Sequence, residues 1–437
     1  MEQNEKGHLI IGGCDAVKLA ETYGTPLYVY DVSMIRQNIN AFKQAFASHP
    51  KINWQIAYAS KAFSSTAMVQ LIKEEGLSLD VVSGGELYTA LQAGMPAKNI
   101  HFHGNNKSDD ELAFALDSNI GLIVVDNFYE LERLEELCAR CGQTMDILLR
   151  ITPGVEAHTH EFIMTGQSDT KFGFNLEGGM ADQAVRQAMS AEHLSLKGLH
   201  CHIGSQIFET EGYARAIANI YAAIEKWIAD PGFIPAVMNV GGGFGIQYTK
   251  RDRPLPVSAY VDRIVAAVEA ESVRLHIDTP SIWVEPGRRI VGEAGMTLYT
   301  VGAIKTIPGV RTYMSVDGGM TDNIRPALYG AMYRAICANR VGEPSDTDYT
   351  IAGKCCETGD LLIKGAMLPA ACTSGDTLAV CATGAYGYAM ASHYNRLPNP
   401  AVVFVEDGEA TVVVRRESYA DLTRFDVPLK TKLAHEG

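Results

Sequence analysis

Short apolar runs alternate with amphipathic stretches along the chain from about residue 50 to residue 290. Each apolar run predicts a buried β-strand, and the stretches between them have helical periodicity. Eight strand–helix units predict a (β/α)8 TIM-like barrel, although a doubly wound open sheet would show the same alternation. The candidate strands are Trp54–Tyr58, Leu79–Val82, Ile100–His103, Leu122–Val125, Ile147–Ile151, Leu196–His202, Val237–Val240 and Ile282–Glu285. The clearest candidate helices are Thr66–Glu75, Gly85–Ala93, Tyr129–Cys141 and Tyr260–Leu275.

Beyond residue 295 the hydrophobic period changes to two, which indicates an all-β region rich in valine and threonine. Asp407-Gly408 separates two apolar runs and predicts a two-residue hairpin turn. The fold class is therefore α/β plus all-β. A barrel occupies residues 37–295 and a C-terminal β-sandwich or β-barrel domain residues 296–437, while residues 1–36 form an N-terminal segment whose strand joins the β-domain. The candidate strands outside the barrel are Pro26–Tyr30, Met296–Thr306, Arg311–Val316, Tyr349–Ala352, Asp360–Leu368, Thr377–Ala382 and Ala401–Arg415.

The charge of the chain limits its partners. Its 437 residues include 37 basic and 51 acidic side chains, a formal net charge of −14, which argues against nucleic-acid or anionic-membrane partners. Met1–Lys6 lacks the features of a secretory signal, and no apolar run predicts a transmembrane helix. Nine cysteines without an export signal suit reduced thiols, so we expect a cytoplasmic protein. The single C-x-x-C at Cys138 and Cys141 does not indicate a zinc site, because a second pair is missing.

Two polar groups stand at the ends of the first and eighth strands of the predicted barrel. The reactive residues of such barrels gather at the carboxyl ends of the strands. Lys61 follows the first strand, where partial desolvation would favour the neutral amine that forms a Schiff base. A solvated loop lysine is the alternative. Glu285 ends the eighth strand and could hold a proton on a ring nitrogen, while Gly287 and Arg288 could meet a phosphate or carboxylate. A surface turn with a salt bridge would have the same sequence.

Glycines follow the seventh predicted strand, and histidines lie at the end of the sixth. Gly241-Gly242-Gly243-Phe244-Gly245 could direct backbone amides at an anion or form a tight turn, but it matches neither the dinucleotide fingerprint nor a Walker loop. His200 and His202 lie on one face of the sixth strand, and His158 and His160 form a second H-x-H pair. No carboxylate stands at a recognisable third-ligand spacing, so we predict no metal site.

The β-domain carries three further motifs. Cys355-Cys356-Glu357 lies in a loop, where a functional thiol and ordinary burial are both consistent with the sequence. Gly384-Ala385-Tyr386 follows another strand, and Arg325 precedes a proline turn that ends at Tyr329. The last two motifs indicate no function on their own.

As an ordered set, these motifs resemble the fold-type III pyridoxal-phosphate-dependent decarboxylases from Pro26 through Tyr388. The motifs are Tyr-Ala-x-Lys-Ala, Ser-Gly-Gly-Glu-Leu, His-x-His-Ile-Gly-Ser-Gln, Gly-Gly-Gly-x-Gly, Glu-Pro-Gly-Arg, Cys-Glu and Gly-Ala-Tyr. Within this family the chain is most similar to the diaminopimelate decarboxylases. The stretches that carry this closer similarity are Gly104–Ser108, Val155–His160, Lys171–Gly173 and Arg325–Tyr329.

The resemblance implies pyridoxal 5'-phosphate as cofactor and decarboxylation of meso-2,6-diaminopimelate to L-lysine and CO2 as the activity. It implies three catalytic residues: Lys61 as the Schiff-base lysine, His200 stacked on the cofactor ring, and the thiol Cys356. The family's Cys-Glu-Ser reads Cys-Glu-Thr here, and the preceding Cys355 leaves the thiol's identity slightly ambiguous. Glu285 would partner the pyridinium nitrogen.

The resemblance also implies binding residues and an assembly. Relatives complete each site across a two-fold homodimer, so we expect a homodimer with shared active sites. The implied cofactor contacts are Lys61, His200, Ser205, Gly241, Gly242, Gly243, Glu285, Gly287, Arg288 and Tyr386. The implied substrate contacts are Arg288, Arg325, Tyr329, Glu357 and Tyr386.

Three other functions remain. A related decarboxylase acting on ornithine, arginine or carboxynorspermidine would offer Arg325 no distal carboxylate, which makes it the weaker interpretation. A catalytically dead cofactor-binding homologue is opposed by the presence of both Lys61 and Cys356. A metal-dependent barrel hydrolase is the most distant alternative.

Overall fold

The computed structural model describes residues 2–155 and 170–429, and eight parallel strands among them form a closed barrel. Neighbouring strands pair in chain order, the eighth pairs with the first through Ile282 and Trp54, and the fifth pairs with the sixth through Leu149 and Leu199. The closure confirms the predicted TIM-like barrel and excludes the open sheet. The barrel strands are Trp54–Ala59, Ser78–Val81, Ile100–Phe102, Leu122–Val125, Met145–Thr152, Leu194–His200, Val237–Asn239 and Ser281–Val284.

Amphipathic helices surround the barrel and bury their apolar faces against it. In the helix Glu211–Ala229, Tyr213, Ile217 and Ile220 recur at helical spacing and are fully buried. The side chain of Ser65 accepts a hydrogen bond from the first turn of the helix that follows it, which fixes where that helix begins. The long helices of this region are Val32–Ala47, Thr66–Glu74, Gly84–Gln92, Asp109–Asp117, Phe128–Cys141, Met180–Ser190, Glu211–Ala229 and Val257–Leu275.

A second region of sheet forms the β-domain. The N-terminal strand Leu27–Asp31 pairs in parallel with Ala401–Glu406 and antiparallel with Gly295–Ile307, as the sequence predicted. Tyr30 of this strand stacks on Phe63 with ring centres 4.5 Å apart, which places the sheet beside the loop that carries Lys61. The other strands of the domain are Arg311–Val316, Ala335–Cys337, Thr347–Ala352, Leu361–Leu368, Thr377–Val380 and Glu409–Val414.

The predicted hairpin turn forms at Asp407-Gly408. Both residues have positive φ angles, 51° and 82°, and they connect strands that pair through Glu406 and Glu409. The strand Ala335–Cys337 was not predicted, because three residues are too short to show a period of two. The remaining short elements are Ile10–Ile11, Cys14–Asp15, Ala16–Tyr23, Phe174–Asn175, Arg288–Val291, Arg325–Tyr329 and Tyr419–Thr423.

Two further properties concern the helices and the cysteines. Among the described residues, no helix is both long and apolar enough to cross a membrane. All nine cysteines of the chain are free thiols. The domain boundaries at residues 36 and 295 stay a prediction.

Candidate active site

A cavity opens at the carboxyl ends of the barrel strands and faces the β-domain. Lys61 and Glu285 reach it from the barrel, whereas Arg325 and Tyr386 reach it from the β-domain. The predicted site residues that line it are Lys61, Ser205, Gly242, Gly243, Glu285, Gly287, Arg288, Arg325, Tyr329 and Tyr386. The other lining residues are Ala59, Asp80, His202, Phe244, Pro286 and Met390.

Lys61 lies in a single 3₁₀ turn directly after the first barrel strand. Its side chain is accessible from the cavity, while the barrel mouth surrounds it with protein. Burial lowers the pKa of the amine, but Tyr386, Asp80 and Glu285 outweigh this effect, so the pKa of Lys61 is raised. The expectation of a neutral amine is therefore wrong for the free lysine, because acidic neighbours favour its protonated form.

Glu285 is a buried carboxylate that three side chains hold in place. Its Oε2 lies 3.1 Å from Nε2 of His200, and its Oε1 accepts a hydrogen bond from Nδ2 of Asn239 at 2.6 Å and lies 3.0 Å from Nε2 of His103. Burial raises the pKa of Glu285, but His103 and His200 outweigh it, and the pKa is well below its usual value. A fixed anion therefore stands at the end of the eighth strand.

The glycine loop after the seventh strand is held by neighbouring side chains. Gly241 and Gly243 have positive φ angles of 70° and 100°, which favour glycine. The N–H of Gly241 donates to Oδ1 of Asn239 at 2.9 Å, and the N–H of Gly242 donates to Nδ1 of His202 at 3.3 Å. Gly242 and Gly243 line the cavity, whereas Gly241 lies behind its wall, where it shapes the loop.

Ser205 and Arg288 form a polar wall beside this loop. Nη2 of Arg288 donates to Oγ of Ser205 at 2.9 Å, and its guanidinium carbon lies 4.7 Å from the ring centre of Tyr386. Gly287 allows the close approach of the first strand, because a Cβ there would lie 3.0 Å from the side chain of Ala59. This wall combines a cation, a hydroxyl and small residues, a donor set that suits a phosphate.

Arg325 supplies a second buried cation. It is 5% exposed, and its Nη1 donates to the hydroxyl groups of Tyr248 at 2.9 Å and Tyr333 at 2.7 Å. Burial lowers its pKa, but the two tyrosines outweigh this, so the pKa of Arg325 is raised. Arg325 begins the short helix that ends at Tyr329, which brings both residues to the cavity.

The donor set as a whole fits a phosphorylated pyridine aldehyde. The amine of Lys61 can bind an aldehyde, the anion Glu285 can hold a protonated ring nitrogen, and Arg288 with Ser205 can bind the phosphate. Residues 32–292 match the pyridoxal-binding domain of the pyridoxal-dependent decarboxylases. The chain is also 59% identical to diaminopimelate decarboxylase of Bacillus subtilis, over 98% of this chain and 97% of that protein.

The chain belongs to the diaminopimelate decarboxylase family of pyridoxal-dependent decarboxylases. The enzyme of that name from Halalkalibacterium halodurans is 56% identical, with 98% of each chain covered. The fold is similar to the crystal structure of diaminopimelate decarboxylase from M. jannaschii in complex with L-lysine. That structure has a TM-score of 0.91 and 33% identity, and the match covers 98% of this chain and 97% of that one. Pyridoxal 5'-phosphate, the predicted cofactor, is therefore confirmed.

Cys356 and Glu357, which the family resemblance places in the active site, do not line the cavity of their own chain. Both lie exposed in a loop of the β-domain, where the N–H of Cys356 donates to Oδ1 of Asn395 at 2.7 Å. The neighbouring thiol of Cys355 is buried, and burial raises its pKa to about 11. His200 lies behind the cavity wall, against Glu285. The roles of these residues stay predictions.

Sequence reasoning missed Asp80, His103 and Asn239, which surround Lys61 and Glu285. Asp80 lies near the end of one apolar barrel strand and His103 directly follows another, which is a usable signal for the active site of a barrel. Burial raises the pKa of Asp80 to about 6, although His103 opposes the shift. Asn239 also ends a strand, but an asparagine there is common enough to carry no signal alone.

Two of the histidines near the cavity, His103 and His200, contact the Glu285 carboxylate. Donor atoms of His103, His200 and Glu285 lie within 4.8 Å of one another, a spacing that a metal site would also show. His202, the other half of the predicted pair, turns instead to the Gly242 amide, and burial holds its pKa well below its usual value. The second pair, at residues 158 and 160, lies outside the described residues. So does the rest of the family-specific stretch that begins at Val155.

Proposed function

We propose that this chain decarboxylates meso-2,6-diaminopimelate to L-lysine and CO2, the last step of lysine biosynthesis. The observation that carries the proposal is the pair of buried arginines, Arg288 and Arg325, in one cavity with Lys61 and Glu285. The relatives at 59% and 56% identity bear the name diaminopimelate decarboxylase. With Arg288 assigned to the cofactor phosphate, Arg325 remains for the second carboxylate of a dicarboxylate substrate.

The cofactor's place follows from the donor set. Bound pyridoxal 5'-phosphate takes up the electron density left at Cα when CO2 departs. Lys61 would hold the cofactor through its amine, and Glu285 would keep a proton on its ring nitrogen. The residues that would surround its phosphate are Ser205, Gly242, Gly243, Gly287 and Arg288, with a hydroxyl from Tyr386.

The substrate carries an amino-acid group at each end, with opposite chirality. Decarboxylating only the D end requires that the L end be held elsewhere in the site. A planar, permanently charged guanidinium suits that carboxylate better than an ammonium group. We assign the role to Arg325, with Tyr329 beside it and Glu357 available for the distal ammonium group.

A decarboxylase of ornithine, arginine or carboxynorspermidine is the weaker candidate. Arg325 is buried and bonded to two tyrosine hydroxyl groups, and none of these substrates offers it a distal carboxylate. A buried cation without a counter-charge is costly. The geometry of Arg325 therefore favours diaminopimelate.

The acid that protonates Cα is assigned to Cys356 of a second copy of the chain. Cys356 and Glu357 are exposed and stand outside the cavity of their own chain, as expected of groups that act across an interface. A two-fold homodimer would place each of them at the partner's Lys61. We also infer that the enzyme works in the cytoplasm, where its nine free thiols would stay reduced.

The test of the activity is product analysis. The purified holoenzyme is incubated with meso-2,6-diaminopimelate, and L-lysine and CO2 are measured together. We expect equal amounts of the two products and none with the L,L isomer, which has no D end. Absence of lysine at full cofactor occupancy would contradict the proposal.

A further inference from the structure

The hydroxyl group of Tyr248 joins the two arginines of the cavity. It accepts a hydrogen bond from Nη1 of Arg288 and another, at 2.9 Å, from Nη1 of Arg325. A phenolic oxygen can accept two hydrogen bonds, so one atom fixes both guanidinium groups. Ser205 accepts from the other terminal nitrogen of Arg288, Nη2, and Tyr333 accepts a second hydrogen bond from Nη1 of Arg325.

Tyr248 lies behind the cavity lining. It is 9% exposed and does not line the cavity, whereas both arginines do. Its ring meets that of Tyr333 edge to face, with centres 5.3 Å apart. Tyr248 follows the glycine loop of the barrel, and Tyr333 belongs to the β-domain, so their contact joins the two parts of the site.

The two guanidinium groups have no ion-pair partner in the part of the chain that the structure describes. Within residues 2–155 and 170–429, no carboxylate lies within 4.0 Å of either group. Both also lie near the Tyr386 ring, at 4.7 and 5.9 Å from its centre. Two neighbouring cations repel each other, so holding them together requires fixed acceptors and favours an anionic ligand.

We propose that Tyr248 is a positioning residue that sets the selectivity of the site for a ligand carboxylate. The inference rests on the proposed function, because it takes Arg288 as the cofactor-side cation and Arg325 as the substrate-side cation. Tyr248 ties the second to the first. Without the shared hydroxyl group, Arg325 keeps only its bond to Tyr333 and loses its fixed distance from the cofactor.

The test compares two ligands that differ by one carboxylate. L-Lysine retains the distal carboxylate of the substrate, and cadaverine lacks it. Tyr248→Phe removes the hydroxyl group and keeps the ring and its packing. We expect the dissociation constant of the holoenzyme for L-lysine, measured by calorimetry, to rise about 10- to 100-fold, the size of a lost hydrogen bond to a charged group. The constant for cadaverine should change less than about 2-fold.

Two further variants make the result decisive. Tyr333→Phe removes an acceptor from Arg325 alone, so it should weaken L-lysine binding by a smaller factor than Tyr248→Phe. Tyr313→Phe changes a tyrosine of the β-domain outside the cavity lining and should leave both constants unchanged. If Tyr248→Phe folds poorly, the selective loss in Tyr333→Phe carries the test.

Equal weakening of both ligands, or no weakening of L-lysine binding, would overturn the inference. Failure of the proposed function has a different signature. In that case the wild type would produce no lysine from meso-2,6-diaminopimelate, although its binding of L-lysine could still depend on Tyr248. Calorimetry does not require turnover, so the two outcomes are separable.

Discussion

Nε2 of His200 lies 3.1 Å from Oε2 of Glu285, and both side chains are buried. The contact joins the ends of the sixth and eighth barrel strands. Together with His103 it holds the pKa of Glu285 well below its usual value, even though burial acts in the opposite direction. An anion at this place is what a protonated ring nitrogen requires.

Glu285→Gln should therefore lower kcat at least about 100-fold, the size found when one electrostatic partner is removed. Glutamine keeps the volume of the side chain but carries no charge. The measurement is kcat at full cofactor occupancy, judged from the visible absorbance. Glu293→Gln, which changes a carboxylate outside the cavity lining, should stay within about 2-fold of wild type. Wild-type kcat in Glu285→Gln would refute the role.

The raised pKa of Lys61 predicts that cofactor loading depends on pH. Burial lowers that pKa, but Tyr386, Asp80 and Glu285 raise it by more than burial lowers it. The free amine must lose a proton before it can bond to an aldehyde, so the rate at which the apoenzyme takes up the cofactor should rise between about pH 7 and pH 9. Asp80→Asn removes one of the groups responsible and should speed loading at the lower pH. A loading rate independent of pH would contradict the raised pKa of Lys61. In a separate experiment, borohydride reduction should fix the cofactor at Lys61.

Asp322 predicts a pH-dependent stability. Burial raises its pKa to about 7, while Tyr299 and the Gly319 amide oppose the shift. Between the unfolded value of 3.8 and about 7 the folded state binds the extra proton, so this group's contribution to stability falls as pH rises and levels off above about pH 8. Asp322→Asn should therefore gain in Tm relative to wild type more at pH 8 than at pH 5. The same comparison with Asp348→Asn, an exposed site, should show no such difference.

The proposed sharing of active sites across a homodimer predicts complementation between two inactive variants. Lys61→Ala and Cys356→Ala change different halves of the proposed site. When the variants are mixed and re-associated, roughly half the dimers contain one chain of each kind and one intact site, which gives about a quarter of wild-type activity. Cys355→Ala, at the buried neighbouring thiol, should remain active on its own. Inactive mixed dimers, verified by mass, would show that each chain builds its own site.

Most of the fold could be predicted because its signals are local. The barrel strands are apolar runs, and their carboxyl ends lie at one face of the barrel. Lys61 and Glu285 could therefore be placed near each other from the sequence alone. Tyr248 and Arg325 could not, because they are 77 residues apart and meet only when the barrel packs on the β-domain. The charge of Lys61 was mispredicted for the same reason, since Asp80 and Tyr386 reach it only in the folded chain.

We expect the choice of substrate to depend on Arg325. Arg325→Ala should lower kcat/KM for meso-2,6-diaminopimelate by about 2–5 kcal/mol, roughly 30- to several-thousand-fold, the range for breaking a desolvated charge pair. The cofactor spectrum should stay normal, because we assign Arg288, and not Arg325, to the cofactor. Arg340→Ala, at a partly exposed site outside the cavity lining, is the matched control and should retain wild-type kinetics.

The most direct test of the whole account is the ratio of kcat/KM for meso-2,6-diaminopimelate to that for ornithine, measured on one wild-type preparation. Ornithine lacks the second carboxylate that we assign to Arg325. We predict a ratio above about 1000, with negligible activity on lysine as well. Comparable values for the two substrates would contradict the assignment of Arg325 and the proposed substrate together.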